Sequence, residues 1–70
     1  MLLYSMEAKQ AEEMAIKFLV QQYSMIKVEK SVLEEEGRIW CVELLVSSFD
    51  MEKKITVAVN ARTGSILGWQ

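Results

Sequence analysis

Two periods of apolar residues divide the chain. From Ala8 to Tyr23 the apolar positions recur three and four residues apart. Ala8, Ala11, Met14, Ala15, Phe18, Leu19 and Tyr23 share one broad face at 100° per residue, and Lys9, Gln10, Glu13, Lys17 and Gln21 share the other. This predicts an amphipathic helix. Ser5 stands ahead of it as an N-cap, and Glu7 places a carboxylate near the positive end of the helix dipole. Glu13 and Lys17 add a favourable pair one turn apart. The alanines allow the helix to lie close to a sheet, with Phe18 and Leu19 filling the deeper space.

From Met25 onward the period is two. Ile26, Val28 and Val32 alternate with Lys27, Glu29 and Ser31, and Lys30 interrupts the apolar side. A charge set into an apolar row is one device by which an edge strand resists unwanted pairing, so this segment is expected at an edge. Glu34-Glu35-Glu36-Gly37-Arg38 reads as a turn, with Gly37 supplying the positive φ. From Arg38 to Ser48 the residues Trp40, Val42, Leu44 and Val46 form an unbroken apolar row, and the alternate row is Ile39, Cys41, Glu43, Leu45 and Ser47. This strand is expected to be central. Ser48 to Lys53 reads as a loop, and Ile55-Thr56-Val57-Ala58-Val59 as a third strand with Ile55, Val57 and Val59 inward. Asn60-Ala61-Arg62-Thr63-Gly64 is a turn with Gly64 in the left-handed position, and Ser65 to Trp69 is a short final strand.

The sum is one small α+β domain over residues 1–70, an N-terminal amphipathic helix packed on a four-stranded antiparallel meander sheet. Connections this short cannot carry the crossover that a parallel neighbour needs.

Composition narrows the role. Seventy residues allow a single core, and a lone core of this size supplies about 3–5 kcal/mol unless a disulfide, a metal or a partner adds to it. One cysteine and no histidine exclude an intrachain disulfide and the common zinc ligand sets, so oligomerisation is the remaining support. Hydrophobic residues make up 51% of the chain, more than such a small core can hide, which points to an apolar surface that meets a partner. The net charge is −2, with Lys27, Lys30, Arg38, Lys53, Lys54 and Arg62 scattered among acids, which argues against a nucleic-acid ligand. The start Met1-Leu2-Leu3-Tyr4-Ser5-Met6-Glu7 lacks a basic region, a long apolar stretch and a small-residue cleavage site. A cytoplasmic setting is expected, and no apolar run is long enough to span a bilayer.

Candidate chemistry is sparse. A nucleophilic Cys41 would need a basic neighbour, and the chain has no histidine, so Cys41 reads as a packing residue. Glu34, Glu35 and Glu36 lack the ligand spacing of a calcium loop and read as a solvated turn. Neither Gly64 nor Gly68 belongs to a phosphate-binding pattern. Trp40 reads as core, whereas Trp69 either seals the core or protrudes. No catalytic residue, metal site or cofactor is expected.

The last hairpin, Ile55-Thr56-Val57-Ala58-Val59-Asn60-Ala61-Arg62-Thr63-Gly64-Ser65-Ile66-Leu67, resembles the strand, D-A-x-T-G turn and strand that end PepSY domains. Asn60 stands at the usual aspartate, a change that keeps the local hydrogen bonding of the turn. Ala8, Ala11 and Ala15 match that family's alanine-rich helix, and Trp40-Cys41-Val42 its middle strand. The resemblance implies a non-catalytic module that binds or restrains peptidases. A fainter resemblance, carried by Trp40-Cys41-Val42-Glu43, is to a gas-vesicle accessory family, although no basic tail and no Arg-Ile-Pro segment is present.

If the helix covers the row containing Trp40, then Ile39, Cys41, Leu45, Ala58, Leu67 and Trp69 form the opposite face, a patch more apolar than a monomer leaves wet. A homodimer through this face or through edge strands is expected, with Met1-Leu2-Leu3-Tyr4 as an additional lid, or else binding of another protein or peptide. The rival readings are an accessory subunit of a larger complex and a small-ligand binder between helix and sheet.

Overall fold

The structure is a computed structural model and describes residues 6–70; the expected cap at Ser5 and the expected lid at 1–4 lie outside the described residues. The elements are α1 (Ala8–Leu19), β1 (Met25–Glu34), β2 (Ile39–Ser48), β3 (Met51–Asn60) and β4 (Ile66–Trp69). The strands form one antiparallel sheet in the order β1-β2-β3-β4, so the expected meander is the observed one.

One face of the sheet carries the helix. Ala11, Ala15 and Leu19 of α1 meet Val42, Leu44 and Val46 of β2 and Ile55, Val57 and Val59 of β3, all nearly or fully buried. The two alanines bring the helix backbone down onto the valines, and Leu19 closes the layer at the helix C-terminus. At the N-terminal end the Met6 backbone N–H donates to the Ala61 carbonyl (2.8 Å), and the Trp40 indole Nε1–H donates to the Met6 carbonyl (2.9 Å). The helix starts two residues after this anchor, with Glu7 as N-cap and the Gln10 side chain accepting from the Glu7 backbone N–H (2.9 Å). The Ser31 hydroxyl donates to Glu12 Oε2 (2.6 Å) and ties α1 to β1.

Four expectations are corrected. The helix ends at Leu19, not near Tyr23, because Gln22 N–H already turns back to the Leu19 carbonyl (3.0 Å) and Ser24 N–H bonds to the Ser47 carbonyl (3.0 Å). Tyr23 packs on the core from outside the helix. The loop expected from Ser48 to Lys53 is a two-residue turn, Phe49-Asp50, and β3 runs from Met51 with Ser48 paired to Met51 and Val46 to Lys53. Cross-strand hydrogen bonds there outweigh the polar composition that suggested a loop.

The third correction concerns β1. The register slips between Val28, opposite Leu44, and Lys30, opposite Glu43, so Glu29 is the extra residue of a β-bulge. Beyond it the side chains exchange faces. Ser31 and Leu33, not Lys30 and Val32, share the helix side with Val42 and Trp40. The fourth is Trp69, which pairs with the buried Val57 and sets its ring edge-on to Phe18 of α1, centroids 4.9 Å apart and planes at 61°. It therefore belongs to the helix side and joins the helix to the edge strand, a contact of about 0.5–1.5 kcal/mol beyond area burial.

The turns follow local chemistry. Gly64 has φ 84, and the Asn60 side chain accepts from the backbone N–H groups of Arg62 (2.8 Å) and Thr63 (3.1 Å). Gly37 has φ 87, but Glu35 (φ 55) and Glu36 (φ 57) share the left-handed region with it, as does Phe49 (φ 56).

Candidate functional site

With one face of the sheet under the helix, the candidate site is the other face. Its rows follow from the strand registers. Glu34, Ile39 and Asn60 lie side by side at one end. The next row is Val32, Cys41, Ala58 and Gly68. Then come Lys30, Glu43 and Thr56, with Gln70 exchanging both backbone hydrogen bonds with Thr56 (2.8 and 3.0 Å). Lys27, Leu45 and Lys54 form the fourth row, and Met25, Ser47 and Glu52 the last.

The apolar residues concentrate toward the end near Glu34. Val32 is 40% exposed and Leu67, the extra residue of a bulge between Ile66 and Gly68, is 52% exposed. Ile39, Cys41 and Ala58 are half-buried beside them. Small residues at Cys41, Ala58 and Gly68 leave this row low, so an approaching surface meets it close to the backbone. Leu45 is also half-buried, and its partners on the two neighbouring strands are Lys27 and Lys54. Lys30 faces Glu43 across the strands, an opposite-charge pair of the kind that supports sheet pairing.

Of the expected surface, Ile39, Cys41, Leu45 and Ala58 share this face, and Leu67 is the unpaired bulge residue on the edge strand beside Gly68, which pairs with Ala58. Trp69 does not. Its partner Val57 and its contact with Phe18 assign it to the helix side. The alternation of β1 hid Val32 and Lys30 from the sequence reading of this face. One signal was present, since a lysine breaking an apolar row marks a change of parity as well as it marks an edge.

The Cys41 thiol donates to Glu34 Oε1 (3.4 Å), and burial, that hydrogen bond and the charges of Glu34 and Glu35 all push its pKa upward. A raised pKa keeps the thiol protonated and poorly nucleophilic near neutral pH. Among the described residues, no group of three or more His, Cys, Asp or Glu side chains is placed to hold a metal ion. No helix among them is long and apolar enough to cross a membrane.

The β2–β3 hairpin tip is a second exposed feature. Phe49 is 101% exposed in a left-handed backbone conformation, next to Met51 at 67%, and Met25 at 69% lies opposite Ser47 on the neighbouring strand. In sequence this segment has the polar composition of a loop, and neither Phe49 nor Met51 is marked there by a motif.

No family model, curated protein or solved structure matches the chain.

Proposed function

We propose that this chain is a binding module without chemistry of its own, which holds a polypeptide partner on the open face of its sheet. The observation that carries the reading is the low apolar row Val32–Cys41–Ala58, flanked by Ile39 and Leu67 and bordered by charges, on a face that no element of the chain covers among the described residues. A central apolar strip with a polar border is the usual anatomy of a protein contact surface. The likeness of the Asn60–Gly64 turn and its strands to PepSY domains supports the same reading, because those domains act by binding.

The test compares tagged native chain with Ala58→Glu, which sets a carboxylate in the middle of the strip and leaves the helix side untouched. Polypeptides that co-purify in stoichiometric amount with the native chain, a second copy included, are expected to be lost from the variant. Equal recovery by both, with the variant folded by circular dichroism, would refute the reading.

The hairpin tip favours a second reading, an accessory subunit that plugs Phe49 into a larger assembly. That role predicts loss of the assembly with Phe49→Asn and no effect from Ala58→Glu.

A further inference from the structure

We infer that the open face is covered by a second copy of this chain, packed sheet on sheet about a two-fold axis that runs across the strands over the Val32–Cys41–Ala58 row. This rests on the binding role assigned to the face above and names its occupant.

Charge order along β1 identifies this occupant. On the open face Lys27 and Lys30 precede Val32, while Glu34 follows it, continued by Glu35 and Glu36 of the turn. The strand thus has a basic half and an acidic half about Val32. A two-fold across the strands reverses strand direction and returns each strand over its own copy, as a self-complementary contact requires. With the axis over Val32, Lys30 and Glu34 are one row to either side, about 7 Å along the strand. Each Lys30 then comes over Glu34 of the second copy, and each Lys27 over the turn glutamates. Both contacts occur twice by symmetry.

The other axis lying between packed sheets runs along the strands and exchanges β1 with the β3 side. It would bring Lys27 over Lys54, since these flank Leu45 in one row, and like charges there oppose it. The favoured arrangement has two like-charge approaches: Glu43 comes over Ile39 beside Glu34 of the second copy, where Lys30 neighbours both carboxylates, and Lys54 comes toward the turn carrying Arg62, at a corner where sheets crossing at about 30° splay apart. The centre suits close packing, because Cys41 and Ala58 carry small side chains and Gly68 none, and packed sheets sit about 10 Å apart. Pairing of two β1 edges would match the same charges. The bulge at Glu29, however, breaks the ladder in mid-strand and divides β1 into two short regular stretches, Met25 to Val28 and Lys30 to Glu34.

Sedimentation equilibrium of the full chain from micromolar to several hundred micromolar, combined with charge exchange, tests this. The native chain is expected to dimerise, Lys30→Glu and Glu34→Lys each to weaken the dimer at least tenfold, and the double variant to return to within about threefold of native. Ala58→Glu should yield a folded monomer. A native monomer throughout the range overturns the inference. So does a dimer that ignores the charge exchange, or one that survives Ala58→Glu, which would assign the contact to an edge. If the chain is monomeric yet Ala58→Glu still abolishes capture of a different polypeptide, the inference fails and the binding role of the face stands.

Discussion

Leu44 and Leu45 are adjacent in sequence and face opposite sides of the sheet, so truncating each in turn tests the assignment of faces. Leu44 is fully buried under the helix, opposite Ile55 and Val28. Removing its terminal carbons forfeits about 2 kcal/mol of transfer free energy at about 0.8 kcal/mol per methylene-sized group, and the cavity left behind adds to it. A loss of about 3 kcal/mol is expected for Leu44→Ala. That is most of what a core of this size supplies, so both variants are compared in a fixed concentration of sucrose, which favours the compact state. Leu45 is half-buried on the open face, paired with Lys27 and Lys54, and Leu45→Ala is expected to lose less than about 1 kcal/mol in the monomer. Urea unfolding followed by fluorescence of Trp40 and Trp69 gives both values, with a slope of about 1 kcal/mol per molar urea converting the midpoint shift. Equal losses, or a larger one at Leu45, would mean that the helix lies on the other face, and the surface built here from the strand registers would dissolve.

Three further outcomes separate local from tertiary causes. Gly64→Ala should destabilise by about 2 kcal/mol, since a Cβ would sit at φ 84 and 3.2 Å from the Met6 methyl, whereas Gly68→Ala, with nothing within 4 Å, should stabilise the monomer by about 0.5–1 kcal/mol in thermal melts. Phe49→Gly should raise the urea midpoint, as relief of about 1–2 kcal/mol of left-handed strain exceeds the added chain entropy and a fully exposed ring loses no packing. The Cys41 thiol, raised by burial first and by Glu34 next, should be alkylated by iodoacetamide with a pH midpoint above that of the unfolded chain, and Glu34→Gln should lower that midpoint. The sign for stability follows from the raised folded-state pKa. The contribution is complete below the unfolded thiol's titration and fades as pH rises through the folded one, so Cys41→Ala should lose less stability than the native chain between neutral and alkaline pH.

Much of the molecule was legible in the sequence, for a local reason. A helix stripe and an alternating strand are set by 3.6- and 2-residue periods, and Ala11, Ala15, Leu19, Val42, Leu44, Val46, Val57 and Val59 each stand where their period put them. Gly64 and Asn60 announce their turn because φ > 0 and a side-chain hydrogen bond to nearby backbone are properties of single residues. Register is another matter. Whether Glu29 is skipped in the ladder, and hence whether Lys30 and Val32 face the helix or the open side, depends on which β2 residues they oppose, and no property of β1 alone decides it. The same holds for Trp69, whose side of the sheet follows from a bulge in β4 and from Phe18 on an element far away in sequence. Ser48 to Met51 pairs only because the strands on either side hold it in register. Periodicity assigns residues to rows; the cross-strand hydrogen bonds and the helix that lies over them decide which rows meet.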